Sequence, residues 1–326
     1  MKRTSKLFAY IIVFVLAFSL LCACSGSGAA DGGTGGDTDG SIANTGSDVS
    51  EVVTVPDSAN MFTDADKTPS YDAASAVAIS IDGGAVTADS DSVSALGGKA
   101  TITEPGTYIV SGTGNNVSII VDLPADTIEK VRLVLDNVSI TNDDFAAIYV
   151  KNADKTFIIL KGENSLAVTG SFAAIDYNKV DGVIFAKDNV VLQGEGSLTI
   201  TSSKHGIVGK DDVKITGGTI SVTAANHGIE ANDSVRVASA SLTIASGKNG
   251  IHVENTYDAT KGYFYMESGS LKITSGYEGI DASGAVEITG GTTDITSGDG
   301  SGKTLSSSDV STKGVKSSAD MLISGD

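Results

Sequence analysis

The stretch GIVGKDDVKITGGTISVTAANH (206–227) runs directly into GIEANDSVRVASASLTIASGKN (228–249). Each has 22 residues and opens on Gly-Ile. Two further copies open at Gly250 (GIHVEN) and Gly279 (GIDASGAVEITGGTTDITSGDG). The third is longer by a seven-residue insertion. Inside a copy the apolar residues alternate: Ile207, then Val213 and Ile215, then Ile220 and Val222. The next copy gives Ile229, Val235, Val237, Leu242 and Ile244. A period of two marks strands with one buried face. Gly, Asn, Asp and Ser between the runs mark turns. Three short strands and three turns in a fixed period near 22 predict one coil of a solenoid. The fold class expected is therefore all-β, a right-handed parallel β-helix.

A single coil buries too few side chains to offset the entropy of ordering its backbone, so coils must stack. Stacking pairs each strand with the coils on either side, about 4.8 Å away. Equivalent side chains then form columns. Upstream, Leu133, Leu135, Val138 and Ile140 fit one coil, and Ile158, Leu160, Leu166 and Val168 the next. Val190, Leu192, Leu198 and Ile200 fit a third, while Phe264, Met266, Leu271 and Ile273 take the core places of the insertion coil. About seven coils are expected over 61–326.

The chain ends read differently. Lys2, Arg3 and Lys6 precede an apolar run, Leu7 to Leu21, that is short for a membrane span. The Leu-Cys-Ala-Cys stretch ending at Cys24 resembles a lipoprotein box, so residues 1–24 are expected to be a signal with Cys24 as the lipidated residue. Cys22 would leave with the signal, and no thiol would remain for chemistry. Residues 25–60, rich in Gly, Ser, Asp and Thr, read as a flexible tether. The expected location is the extracellular face of the membrane, with lipid as the anchor. At the other end, Met321-Leu322-Ile323 looks like a strand of a further copy that stops in mid-coil, the pattern of a truncated reading frame. Residues 296–312 read as a polar loop.

The formal charge is −18. The segment to residue 23 carries three basic residues and no acid, so the rest is near −21. No basic run exists to neutralise phosphates, which argues against nucleic acid as a partner.

Several segments resemble a known family: ITEPGTYIVSG (102–112), VRLVLDNVSIT (131–141), AAIYVKNADKTFIIL (146–160), HGIVGKDDVKITGGTISV (205–222) and KGYFYMESGSLKIT (261–274). They are similar to bacterial carbohydrate-binding β-helix lipoproteins. The resemblance runs from about Met61 to the chain end. It implies a pectate-lyase-like fold, cellulose or pectic polygalacturonate as the polysaccharide partner, and calcium. The chain departs from the family where many coils carry Asp-Asp before Gly-Ile. Here those pairs are Lys204-His205, Asn226-His227, Lys248-Asn249 and Tyr277-Glu278.

Three columns can carry chemistry. The first comprises the pairs just named. Lys204, His205, Asn226, His227, Lys248, Asn249 and Tyr277 offer donors and a flat ring to sugar hydroxyls. Two adjacent His also suit a transition metal, or the set is simply a polar turn ladder. The second column is Asp188, Asp211 and Asp233, each two residues before an inward Val. Stacked carboxylates attract calcium, a hard cation taking six to eight oxygens, or each Asp caps its own turn. Asp212 can add to that count. Glu230 and Asp281 form a third, calcium-type set, interrupted by His252. The insertion (255–262) carries Tyr257, whose ring can stack on a pyranose.

Three functions follow. The leading one is a non-catalytic polysaccharide-binding lipoprotein. The second is a calcium-dependent polysaccharide lyase, with Lys204 or Lys248 as base. The third is an adhesive stalk without a glycan site.

Overall fold

The computed structural model describes residues 60–300, 302 and 310–325. The signal, Cys24 and nearly all of the tether lie outside the described residues, as do residues 301 and 303–309 of the polar loop 296–312. Among the described residues no helix is long and apolar enough to cross a membrane.

Three parallel ladders make a three-faced, β-helix-like solenoid. The first face stacks Lys155–Lys161, Asn189–Gly194, Asp212–Ile215, Ser234–Val237, Tyr263–Met266, Val286–Ile288 and Met321–Ile323. The second stacks Glu163–Val168, Ser197–Ser202, Thr219–Ala224, Ser241–Ser246, Ser270–Ser275 and Thr292–Ser297. The third stacks Ser118–Asp122, Ile148–Asn152, Gly182–Ala186, His205–Gly209, Ile229–Ala231, Ile251–Val253, Ile280–Ala282 and Val315–Ser317. The register follows the repeat. Ile207 pairs with Ile229, Ile229 with Ile251, and Ile251 with Ile280 across the longer copy.

Alternation explains the core. In Thr219–Ala224 the odd positions Thr219, Ser221 and Thr223 are exposed, while Ile220, Val222 and Ala224 are buried. Every inward residue expected for the upstream coils, from Leu133 to Ile200, is buried, as are Phe264 and Met266. One continuous hydrophobic cluster runs from Ile79 to Ile288.

The repeat Gly has a reason beyond turn-making. A Cβ on Gly206 would sit 2.4 Å from Val222 Cγ1 and 2.5 Å from the Gly228 carbonyl oxygen. The chain crosses from the second face to the third so close to its neighbour that no side chain fits. Gly218 is the opposite case, a turn with φ of +82°.

Two regions depart from the regular pattern. Residues 77–102 form two antiparallel hairpins, Val77–Gly83 with Ala85–Ala88 and Val93–Leu96 with Lys99–Ile102. The inner strand of each, Val77–Gly83 and Lys99–Ile102, pairs in parallel with Gly106–Asn115 and Ser118–Asp122 of the next coil. The second hairpin turns on Gly97 and Gly98, with φ of +58° and +76°, the pair of positive values a two-residue primed turn requires. The parallel stacking expected from residue 61 therefore starts at Val77, with an added antiparallel strand, Ala85–Ala88 and Val93–Leu96, on the outer side of each hairpin. The other departure is a strap, residues 60–76, lying on the outside of the first face. Its single helical turn, Asp64–Lys67, carries a capping box between Thr63 and Asp66. Asp66 is fully buried, 3.0 Å from Lys155 Nζ and 2.9 Å from Lys214 Nζ. Arg236 donates to the Met61 carbonyl at 2.8 Å, and Met61 packs with Phe62, Tyr263 and Tyr265.

Candidate functional site

The corner between the second and third faces is stitched by backbone hydrogen bonds. The Asn226 N–H donates to the Lys204 carbonyl at 2.8 Å, Lys248 N–H to Asn226 at 3.0 Å, and Tyr277 N–H to Lys248 at 3.2 Å. One residue on, Gly206, Gly228 and Gly250 donate to the carbonyls of His227, Asn249 and Glu278. The predicted columns therefore exist, with Lys204, Asn226, Lys248 and Tyr277 in one and His205, His227, Asn249 and Glu278 in the other. The third face supplies a parallel outward column, Val208, Glu230, His252, Asp281 and Lys316.

The two sets interlock. All three histidines of the chain lie in one stack: His205 on His227 at 5.2 Å between ring centres, and His227 on His252 at 4.7 Å. His252 is therefore part of the site, rather than an interruption between Glu230 and Asp281. His205 Nδ1 is 3.3 Å from Glu230 Oε2, and His205 Nε2 is 3.8 Å from Asp181 Oδ2. The approach to Glu230 is off the hydrogen-bond axis, so this Nδ1 is a buried polar atom without a hydrogen bond. His252 Nδ1 is 3.3 Å from Asp281 Oδ2, which also faces Lys316 across the carboxyl and Asn249 Nδ2 at 3.1 Å.

Charge follows contact. Burial pushes the His227 pKa down to about 3, with His252 and His205 adding to the effect. Burial also holds His205 below its ordinary value. Burial acts the same way on His252, but the Asp281 carboxylate outweighs it and raises the ring. Asp281 in turn is held down at about 2, chiefly by the hydrogen bond with His252. Glu230 is opposed by burial yet held below the usual carboxylate range by His205 and Lys210. At neutral pH two stacked rings are thus neutral, and the third is closer to its titration.

A feature absent from the sequence reading completes this corner. Residues 169–181 form a long connection where the next coils use a few residues. It brings Asp181 to Lys204 at 2.7 Å and leaves Tyr177 83% exposed. Its base and the next turn enclose a shallow groove of about 430 Å³ lined by Thr169, Gly170, Ser171, Phe172, Ser203 and Lys204. A signal existed in the spacing, since 169–181 breaks the period that its neighbours keep. A larger groove, about 560 Å³, lies at the opposite corner beside Pro69, Tyr71, Lys161, Glu163 and Glu195. It has no repeating ladder of donors, so the smaller groove sits nearer the periodic chemistry.

The acidic column resolves differently. Asp188, Asp211 and Asp233 lie at successive first-face corners, before Val190, Val213 and Val235, which stack in register. Asp188 Oδ2 accepts the Ala153 N–H at 2.8 Å. Asp233 pairs with Lys261 at 2.7 Å and accepts from Asn255 Nδ2 at 3.1 Å. Both partners come from the insertion, so loop and column are one structure. Asp212 is held by Arg236 and Ser234. Burial, then Asp233 and Asp188, raise the Asp211 carboxyl to about 6. A calcium site takes six to eight oxygens, with carboxylates as its charged ligands and carbonyls or water completing the set. This column does not fit one as folded, because its outer carboxylates and Asp212 are already bonded to the protein. Glu230 and Asp281 are likewise engaged by His205, Lys210, His252 and Lys316. Tyr257, at the tip of the insertion, is 99% exposed, and only its backbone joins this network, its N–H donating to Asn255 Oδ1 at 3.1 Å.

A parallel-stranded solenoid with a ladder of hydrogen-bonding side chains along one corner is the class these features define. The chain belongs to the family described as carbohydrate-binding domain-containing protein, whose model matches residues 96–326. A relative of that description from Acetivibrio thermocellus is 43% identical over 216 residues, covering 64% of this chain and 75% of the relative. A solved structure, the polysaccharide lyase-like protein from C. thermocellum as a gadolinium derivative, superposes with a TM-score of 0.66. It is 34% identical and covers 76% of this chain and 96% of that one.

Proposed function

We propose that this protein is a non-catalytic, lipid-anchored surface protein that binds an extended polysaccharide along the corner between its second and third faces. The observation that carries the reading is the Lys204, Asn226, Lys248 and Tyr277 ladder, which repeats polar groups at the coil spacing of about 4.8 Å. A linear glycan repeats its hydroxyls along its length, so one ladder can contact several sugars in turn. The family's description and the polysaccharide lyase-like neighbour support a carbohydrate partner. Tyr177 beside the ladder and Tyr257 on the insertion supply exposed rings for stacking.

Cellulose is the favoured glycan class over polygalacturonate. The chain's −18 charge repels a polyuronate at long range, and the acidic column is closed by Lys261 and Asn255 rather than open to bridging calcium. The lyase alternative draws on the neighbour's description. It requires a neutral base, whereas Lys204 is tied to Asp181 at 2.7 Å.

The test is retention of the full chain on cellulose and on insoluble polygalacturonate, each with calcium and with chelator. Retention on cellulose in both conditions, reduced in an Asn226→Ala, Lys248→Ala double variant, is expected. Retention on polygalacturonate only with calcium would reverse the choice of glycan. Release of ultraviolet-absorbing unsaturated products would establish the lyase. Failure to bind either glycan favours the adhesive stalk.

A further inference from the structure

We propose that His205, His227 and Glu230 form a binding site for one divalent transition ion of the zinc class. The inference is independent of the glycan reading. Among the described residues these three bring one ligand atom each within 4.8 Å of one another. The composition suits the ion, since imidazole nitrogens favour zinc, copper and nickel while calcium takes oxygens.

The geometry of the first pair is close to coordination already. His205 Nδ1 and Glu230 Oε2 are 3.3 Å apart. Two ligands at about 2.1 Å from one ion and 3.3 Å from each other subtend about 104°, near the tetrahedral value. A carboxylate at that distance would ordinarily take a hydrogen bond from the ring. Here it does not, and Nδ1 is a buried nitrogen with no hydrogen-bond partner. The surroundings fit the roles. Lys210 Nζ holds the other Glu230 oxygen at 3.3 Å, which fixes the carboxylate and leaves Oε2 toward the histidine. With Nδ1 on the metal, the His205 ring proton sits on Nε2, which lies 3.5 Å from the Asn226 side-chain amide and 3.8 Å from Asp181 Oδ2. Turning the Asn226 amide by 180° puts its oxygen there as acceptor, a neighbour that orients the ligand ring.

His227 supplies the third ligand by a ring adjustment. Its ring is stacked on His205, and its Nδ1 accepts the Asn249 N–H at a long 3.3 Å. Turning toward the ion exchanges that weak bond for coordination. Three protein ligands leave the fourth tetrahedral position to water or another donor.

The experiment is equilibrium dialysis of the tag-free full chain against Zn²⁺, with metal content read directly. One ion per chain is expected. His205→Asn and Glu230→Gln should each weaken binding by about tenfold or more, while the exposed control Asp294→Asn leaves it unchanged. Should either variant unfold, Co²⁺ bound to the unmodified protein decides. The intense visible bands of tetrahedral cobalt support the site, and the weak spectrum of octahedral cobalt overturns it. Absence of one-to-one zinc retention, or retention unchanged in both variants, also overturns it.

Discussion

The first and third faces are built from the same repeat, yet they handle outward charge in opposite ways. On the first face, Lys214 and Arg236 stack in successive coils and a strap from far upstream lies over them. Asp66 enters fully buried, with Lys155 and Lys214 on its two oxygens and its backbone carbonyl taking the Thr216 hydroxyl. On the third face, Glu230, His252 and Asp281 stack with no strap over them among the described residues, and their partners are neighbours in the adjoining columns. A covered column makes a closed structural joint. An uncovered one leaves a corner of polar groups within reach of solvent and ligand.

Breaking the strap should have the largest effect. Asp66→Ala leaves Lys155 and Lys214 facing a buried gap and should cost about 3–5 kcal/mol in denaturant unfolding, the range for removing one partner of a buried ion pair. The wild-type pair also has a pH signature. Burial opposes ionisation of Asp66, but Lys214, the Thr63 N–H and Lys155 hold its pKa at about 2. A depressed acid stabilises the fold above its unfolded value near 4, and that stability is lost as pH falls toward 2. An Asp66→Ala curve that parallels wild type from pH 7 to pH 2 would rule out this ionic role.

The corner between the two faces should respond in the opposite direction. Asp211 titrates at about 6, above its ordinary value, because it is buried beside Asp233 and Asp188. A raised acid binds its proton more tightly in the fold, so it destabilises at pH 7 and less so as pH falls through 6. Asp211→Asn should therefore stabilise the protein by about 1–3 kcal/mol at pH 7 and by little at pH 4. Thermal unfolding at the two pH values checks the sign. Lys261→Ala should deepen the penalty by freeing Asp233, and added calcium should then raise the melting temperature of that variant more than that of wild type.

Within the open column the differences are smaller. Asn249 donates to Asp281 and lies against His252, so Asn249→Ala should cost about 1 kcal/mol. Proton NMR should find the His252 midpoint above 6.5, since Asp281 outweighs burial, while His227 stays neutral down to about pH 4. Three rings titrating together near 6.5 would contradict the distinction drawn along this stack. Tyr257→Ala sits at the bottom of the scale. Its side chain is 99% exposed, so stability should change by less than about 0.5 kcal/mol while glycan retention falls.

The site was partly legible before the structure. The Lys204 and His205 columns follow from period alone, because residues 22 apart must stack once the coils do. The partnerships did not follow. His252 stood out as an interruption in a carboxylate column, and its stacking on His227 depends on which way two side chains lean from adjacent strands. Lys261 read as part of a loop, while its role at Asp233 depends on how that loop folds back. Asp181 and Tyr177 lie in a connection that carries no repeat.

By itself, then, the sequence determined the coil. The alternation of Ile, Val and Leu sets which residues face inward, and the spacing of Gly-Ile sets the register, because both are local and repeat. Only the tertiary structure decided what closes each face. The bonds that do so join Asp66 to Lys155 and Lys214, 89 and 148 residues away, and His252 to Asp281 across an insertion. No periodicity encodes such pairings. They arise because a stacked core fixes the columns first, and buried charges then find the nearest opposite group that the finished surface brings to them.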